Sequence, residues 1–179
     1  MCIRDRSAFR DCFGLTDMTI PSSVKTLGSR AFMNCGNLTS VAFAEGQYDI
    51  EIESLERLFV NSPIKEIFIG RGISSGRFET RELTSLTIGN LVWRIPDAFA
   101  GLSSLKSVTF GSRFNYIGPN LFKGCGLGKV VIPANVTSIG DGAFDSNDLK
   151  ELTIGSGIKK IGENLEEILS LIHISEPTR

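Results

Sequence analysis

The chain has 179 residues, of which 41% are hydrophobic and 22% charged, and its formal net charge is −1. This composition excludes a disordered chain, and the balanced charge gives no basic surface that would attract nucleic acid or an anionic membrane. No run of about 18 apolar residues is present, so the sequence predicts no direct insertion into a membrane. We therefore expect one domain that folds in water.

A short apolar frame, Leu-x-x-Val-x-Ile with conservative exchanges, recurs along the chain. Its last residue falls at intervals of 23, 26, 19, 22, 22 and 22 residues, at Ile20, Phe43, Ile69, Ile88, Phe110, Ile132 and Ile154. A period of this size indicates one supersecondary unit per repeat, stacked into a solenoid. Because two apolar residues of each frame lie two positions apart, each frame predicts a short strand with one inward face, stacked into a parallel sheet.

The first repeat begins at Ser7 and shows how each coil returns on itself. Pro21 ends the first strand because proline lacks the N–H that a continuing ladder needs. Val24 and Leu27 then begin a second side of the coil, and Gly28 permits a tight turn. An Ala-Phe pair ending at Phe32 closes the coil by inserting one small and one large apolar group.

Residues 44–82 form an irregular zone. The segment after Phe43 is longer and acidic, and it recovers the pattern at Leu58-Phe59. After the frame that begins at Ile64 the Ala-Phe pair is missing, so we predict that this coil loses its closure. The glycine-rich run 70–76 invites a phosphate-loop interpretation, but it lacks the Lys-Ser/Thr ending and the following helix, and an ordinary turn is favoured.

Regularity returns at Val92 and holds through Leu165. We predict structural roles for the phenylalanines that close coils and the leucines that begin strands, namely Phe32, Phe99, Phe122, Phe144, Leu38, Leu105, Leu127 and Leu149. The two ends, MCIRDR and LSLIHISEPTR, fit no repeat position and look like translated sequencing-adapter sequence joined to an incomplete reading frame. We therefore expect residues 1–6 and 169–179 to be artefacts, and residues 7–168 to form the solenoid of a longer protein.

The run from Ala31 to Leu38, AFMNCGNL, opens a pattern that continues as V-x-I-P-x-x-V-x-x-I-G-x-x-AF in this chain. The pattern resembles the repeats of BspA-like leucine-rich-repeat surface proteins, and the resemblance covers about Ser7 to Leu165. It implies a strand-rich α/β solenoid, a right-handed leucine-rich-repeat superhelix with a parallel β-sheet and about seven repeats. It also implies an extracellular or cell-surface location and adhesion to host or other cell-surface proteins, without catalytic residues.

Catalytic and metal-binding groups are sparse. His173 is the only histidine and lies in the segment that we set aside, so no Ser/His/Asp or Cys/His arrangement is available. Cys12, Cys35 and Cys125 occur at most once per repeat, without the close pairing of a zinc site. They are interpreted either as small buried turn residues or, for Cys12 and Cys35 in consecutive coils, as a disulfide formed in an oxidising compartment. We predict no catalytic site, metal or cofactor.

The outward positions of the strands form the exposed face of the predicted sheet. They are occupied by Thr19, Ala42, Phe68, Thr87, Thr109, Val131 and Thr153. Threonine ladders favour strands, so this row is interpreted mainly as sheet stabilisation. Phe68 is the exception, since an exposed aromatic residue beside Lys65 and Glu66 can anchor a partner. The candidate partner-binding residues are Phe68, Lys65, Glu66, Thr87, Thr109 and Val131.

Three classes of function fit these patterns. The first is a non-catalytic protein-binding or adhesion module, which would use the sheet face and the irregular zone in a broad, multivalent contact. The second is an intracellular or structural interaction scaffold, and the third is an enzyme or a fragment attached to an enzyme. Coil geometry already explains most glycines, prolines and apolar runs, which favours the first two classes. The sequence leaves the identity of the partner and the oligomeric state open.

Overall fold

The computed structural model describes residues 7–73 and 76–163, together with the backbone of 172–174. Its elements are short and follow one another at the spacing of the repeats. In chain order they are β1 (Asp17–Ile20), β2 (Thr26–Leu27), β3 (Ser40–Phe43), β4 (Glu51–Ile52), α1 (Leu55–Leu58), β5 (Glu66–Ile69), β6 (Ser85–Ile88), β7 (Ser107–Thr109), β8 (Tyr116–Ile117), β9 (Lys129–Ile132), β10 (Ser138–Ile139), β11 (Glu151–Ile154), β12 (Lys160–Ile161) and β13 (Ile172–Ile174).

The first side of each coil carries the longer strands. Strands β1, β3, β5, β6 and β7 form one five-stranded parallel sheet, and β9, β11 and β13 form a three-stranded one. The register places equivalent apolar residues side by side, so Ile20 is paired with Phe43, Phe43 with Ile69, and Ile69 with Ile88. The predicted strand-rich solenoid with a parallel sheet is therefore confirmed.

The second side of the coil carries two-residue strands. Strands β2 and β4 pair on this side in the first coils, and β8, β10 and β12 pair in the last ones. Leu27, Ile117 and Ile139 point into the core from this side and are fully buried. The proline and glycine corners predicted from the first repeat thus separate two walls that share one apolar interior.

A column of stacked phenylalanine rings runs along the interior. Neighbouring ring centroids lie 5.2 to 6.3 Å apart through Phe9, Phe32, Phe59, Phe78, Phe99, Phe122 and Phe144. The prediction that the third coil loses its closure is wrong, because Phe78 enters this column 6.1 Å from Phe59 and 5.2 Å from Phe99. Exposed Arg77 stands where other coils place alanine, so the ring alone is enough to close the coil.

The residues that we assigned structural roles all lie in this core. The four phenylalanines and four leucines of that set are buried. Each contributes apolar area that a single coil could not remove from water, so neighbouring coils stabilise one another through these side chains.

A small polar or thiol side chain follows the phenylalanine in several coils and binds the preceding coil. Cys35 Sγ donates to the carbonyl of Phe9 at 3.0 Å, and Cys125 Sγ donates to that of Phe99 at 3.2 Å. Ser62 makes the equivalent bond to Phe32 at 2.6 Å. Cys12, Cys35 and Cys125 are free thiols in this structure, which fits their interpretation as turn residues, and Cys35 and Cys125 are buried.

Ionisation of Cys125 should make the stability depend on pH. Burial raises the pKa of its thiol to about 11, whereas a cysteine in an unfolded chain titrates near 8.5 to 9. The thiol therefore stays protonated to a higher pH in the native state than in the unfolded chain. Its contribution to the free energy of unfolding is complete below about pH 8.5 and is lost as the pH rises to about 11. We expect the free energy of unfolding to fall by about 2 kcal/mol between pH 8 and pH 10.5 from this group.

Urea unfolding at the two pH values tests this expectation against a matched variant. Cys125→Ser keeps a donor for the Phe99 carbonyl, as Ser62 does for Phe32, but it has no thiol to ionise. The decline between pH 8 and pH 10.5 should be smaller in the variant, because only the groups shared by both proteins still titrate. Equal declines in the two proteins would show that Cys125 does not contribute.

The irregular zone is held to the first coil by a buried arginine. Arg71 follows β5, and its guanidinium donates to the carbonyls of Ser22 and Val24 at 2.8 Å and of Pro21 at 2.9 Å. The side chain passes the second coil at Gly46, where a Cβ would lie 3.3 Å from Arg71 Cδ. Burial lowers the pKa of Arg71, yet an arginine stays charged at neutral pH. This zone therefore has a defined position within the solenoid.

The C-terminal segment differs from its prediction. We expected residues 169–179 to fit no repeat position, but Ile172–Ile174 forms β13 and pairs in parallel with β11. Ile172 is aligned with Leu152 and Ile174 with Ile154. These three residues thus continue the ladder, because their alternating apolar spacing matches the preceding strand, while the expectation that residues 169–179 are an artefact stays a prediction. The prediction for residues 1–6 lies outside the described part of the chain.

Candidate binding surfaces

The outward face of the five-stranded sheet brings most of the candidate residues together. The register places Ala42 beside Phe68, Phe68 beside Thr87, and Thr87 beside Thr109. Adjacent strands lie about 4.8 Å apart, so five strands present a row roughly 19 Å wide. Lys65 and Glu66 are exposed at the start of β5. We call this surface, from β1 to β7, the sheet face.

Phe68 lies near the middle of the sheet face, but it is less exposed than its sequence position suggests. Its ring is half-buried, and a Cβ on Gly89 would lie 3.0 Å from Phe68 Cζ. The ring therefore leans over the glycine that follows β6 and covers part of the neighbouring strand end. It still forms the largest apolar group in a row of alanine and threonine side chains.

Val131 belongs to a neighbouring part of the surface. It lies on β9, which pairs with β11, and no ladder joins β7 to β9 among the described residues. Its side chain is 52% exposed. Nearby, Lys129 and Glu151 form an ion pair at 2.7 Å across β9 and β11. Thr109 and Val131 thus occupy adjacent sheets, and the sheet face ends between them.

A concave surface lies on the other side of the coils and was not predicted from the sequence. We call it the side groove and define it by Asp49, Arg77, Trp93, Arg94, Asp97 and Tyr116, which line a cavity of about 570 Å³. Trp93 is 57% exposed and Tyr116 is 37% exposed. The Arg94 guanidinium carbon lies 4.9 Å from the centre of the Trp93 ring, a cation–π contact.

The side groove lies where the described residues of the second side form no ladder. The second side is a ladder of β2 with β4 at one end and of β8, β10 and β12 at the other. Between them, the described residues form only the bridge from Ile50 to Ile73. The third coil is also the shortest, with 19 residues from Ile69 to Ile88. Between these two ladders the described residues thus form no other second-side ladder, and both Asp49 and Trp93 line the groove.

Two glycines shape the walls of the side groove. A Cβ on Gly72 would overlap the carboxylate of Asp49, and a Cβ on Gly118 would lie 3.2 Å from Asp97 Oδ1. The two carboxylates therefore lie over backbone that carries no side chain, and both residues line the groove. Within the described residues, Asp49, Asp97, Arg77 and Arg94 form no ion pairs with one another.

The described residues include no group of three or more His, Cys, Asp or Glu side chains that could hold a metal ion. Helices long and apolar enough to cross a bilayer are likewise absent from this part of the chain. One sequence signal for the side groove existed, because Trp93 is the single tryptophan and is followed by an arginine. The repeat pattern did not reveal that Trp93 lines a groove.

Comparison with known proteins identifies the repeat class. The family model for the BspA type leucine rich repeat region matches residues 3–75 and 71–177, in six copies. No curated protein matches the chain.

Two solved structures are similar to this chain, each at 18% sequence identity. One is a leucine-rich repeat protein from Bacteroides ovatus, with a TM-score of 0.49 over 90% of this chain and 66% of that one. The other is a leucine rich cell surface protein from Faecalibacterium prausnitzii, with a TM-score of 0.43 over 96% of this chain and 66% of that one. This chain thus spans just under two thirds of either protein's length. By the family match over nearly its whole length, the chain belongs to the BspA type leucine-rich repeat family.

Proposed function

We propose that this solenoid is a non-catalytic protein-binding module of a secreted or cell-surface protein, and that it acts in adhesion through the sheet face. The observation that carries the proposal is the outward row of the five-stranded sheet, in which small side chains surround one large ring, that of Phe68. A surface of small side chains allows another protein to approach the strands closely. An aromatic ring near its centre is the type of residue that dominates binding energy at interfaces.

The charge distribution supports a protein partner. Exposed Lys65 and Glu66 at the edge of the Phe68 contact provide one group of each sign, and the whole chain has a net charge of −1. A rim with both charges favours a protein partner that has a mixed polar surface over a polyanionic partner. Binding by many repeats of a longer protein would add weak contacts into a strong attachment.

A binding assay tests the role of Phe68. The purified chain is applied to an array of purified extracellular-matrix and cell-surface proteins, and affinities for the array proteins that bind are measured by surface plasmon resonance. We expect saturable binding to at least one array protein, and Phe68→Ala should weaken it by about tenfold or more, since truncating a central aromatic anchor costs about 1.4 kcal/mol or more.

Phe13→Ala is the matched control, because Phe13 is 63% exposed and precedes β1, outside the sheet face. This variant should bind as tightly as the unchanged protein, and both variants should unfold at denaturant concentrations close to that of the parent. Equal affinity of Phe68→Ala and the parent protein would exclude the sheet face as the binding surface. Binding to none of the array proteins would count against the adhesion proposal itself.

The proposed cell-surface location is tested separately from partner binding. Antibody labelling of intact source cells should detect the chain at the surface, and brief protease treatment of those cells should remove the signal. Labelling only after the cells are permeabilised would contradict the cell-surface proposal and favour the interaction scaffold inside the cell.

A further inference from the structure

We infer that the side groove is a binding site for a neutral oligosaccharide, separate from the sheet face and independent of its proposed partner. The inference goes beyond protein binding and rests on three features of the groove. These are two exposed aromatic rings on one wall, planar hydrogen-bonding side chains of both signs around them, and a cavity of ligand size.

The aromatic wall is unusual for this chain. The phenylalanine column from Phe32 to Phe144 is buried, whereas Trp93 and Tyr116 are exposed and line the groove from consecutive coils. The backbone of these coils is joined by a hydrogen bond from Asn115 N to the Trp93 carbonyl, at 3.3 Å. The two rings are therefore held on one rigid wall. The C–H face of a pyranose ring is apolar and stacks on aromatic rings, while tyrosine and tryptophan also present a polar edge to water.

The charges of the groove indicate a neutral ligand. Asp49 and Asp97 balance Arg77 and Arg94, so the site has no excess charge that would select a phosphate or a strongly charged peptide. Carboxylate and guanidinium groups are planar and can each bond two neighbouring hydroxyl groups. Because these four side chains are not paired with one another, their donors and acceptors remain available to vicinal hydroxyls of a sugar.

The residues that line the groove come from well-separated parts of the chain, which suits an extended ligand. Asp49 and Arg77 come from the irregular zone, whereas Asp97 and Tyr116 come from the regular coils beyond it. A chain of sugar units lying across the groove would contact both parts and stack on the area of the Trp93 ring that the Arg94 guanidinium leaves exposed. The volume of about 570 Å³ falls within the range of small-molecule sites, roughly 300 to 1,000 Å³.

Trp93 provides a built-in signal for the test, because it is the only tryptophan in the chain. The purified chain is titrated with the hexasaccharides of β-1,4-linked glucose, β-1,4-linked N-acetylglucosamine, β-1,4-linked mannose, β-1,4-linked xylose and β-1,3-linked glucose. We expect at least one of them to change the tryptophan fluorescence saturably, with a dissociation constant between about 10 μM and 1 mM, the range of a small open site.

Variants then locate the binding by calorimetry, since one of them removes the fluorophore. Trp93→Ala should abolish detectable binding of the active hexasaccharide, and Asp97→Asn should weaken it by about fivefold or more. Tyr48→Ala is the control, because Tyr48 is 76% exposed but does not line the groove, and it should bind like the parent. Urea unfolding of each variant shows whether the fold is retained.

Three results would overturn the inference. The first is no saturable response to any of the five hexasaccharides up to about 10 mM, well above the expected range. The second is unchanged sugar binding in a folded Trp93→Ala protein. The third is a saturable fluorescence response to inorganic phosphate or to a proline-rich decapeptide with none to the sugars, which would assign the groove to another ligand class. Each result is independent of the array assay, so failure of the sugar site and failure of the sheet face are distinguishable.

Discussion

Replacing Phe122 with alanine is expected to lower the free energy of unfolding by about 3–5 kcal/mol, the usual cost of removing a buried aromatic ring. Phe122 is fully buried, and its ring contacts those of Phe99, Phe144 and Phe110 at centroid distances of 6.3, 5.6 and 6.1 Å. The substitution would therefore interrupt the phenylalanine column and leave a cavity between consecutive coils. Urea unfolding followed by circular dichroism measures the change.

The control for this prediction is Phe13→Ala, which removes the same ring from a position that is 63% exposed. Substitutions at such surface positions usually change stability by less than about 0.5 kcal/mol. A loss below about 1 kcal/mol in Phe122→Ala would show that the coils do not depend on the ring column for their mutual stability.

Replacing Arg71 with methionine is expected to cost about 2–4 kcal/mol of unfolding free energy. Methionine fills much of the same space but donates no hydrogen bonds, so the carbonyls of Pro21, Ser22 and Val24 lose the donor that now satisfies them. Leaving desolvated acceptors unpaired outweighs the gain from removing a buried charge, because each such acceptor costs about 1–3 kcal/mol.

Two further variants separate charge from geometry in this prediction. Arg71→Lys keeps the positive charge but lacks the planar fork that reaches three carbonyls, so its stability should fall between those of the parent and Arg71→Met. Arg113→Met removes an exposed arginine and should leave the urea midpoint nearly unchanged. If Arg71→Met unfolds at the same urea concentration as the parent, the buried guanidinium does not hold the irregular zone to the first coil.

The repeat frame predicted the strands because its information is local. Two apolar residues two positions apart define the inward face of a strand, and the fixed period aligns each strand with the next. The register from Ile20 to Phe43 and on to Ile69 follows directly from that pattern. Pro21 and Gly28 likewise marked corners through their own backbone restrictions, without any knowledge of distant residues.

The missed features depend on contacts between distant residues or on gaps. Phe78 was overlooked because the small residue expected before it is replaced by Arg77, although the ring column accepts the ring regardless. Arg71, placed between two glycines, looks like a loop residue in the sequence, and its acceptors lie 47 to 50 positions earlier. No local pattern connects those positions.

In the two candidate surfaces, too, some features follow from the local sequence pattern and others depend on contacts between distant residues. The outward position of Phe68 follows from strand alternation, but its partial burial depends on Gly89 in the next coil. Beside the side groove, the described residues of the second wall form only the bridge from Ile50 to Ile73, so Trp93 and Tyr116 became candidate ligand contacts once the coils were placed together. The sequence shows that Trp93 is the single tryptophan, but only the structure shows which residues surround it.

Hydroxyl-radical footprinting of the chain with its array-identified protein partner tests the central claim most directly, since it reports which side chains the partner covers. If the sheet face is the binding surface, oxidation of Phe68 should decrease in the complex, while oxidation of Phe13, outside that face, stays the same. Unchanged oxidation of Phe68, with protection confined to Trp93 and Tyr116 or to other positions away from the sheet face, would contradict the account.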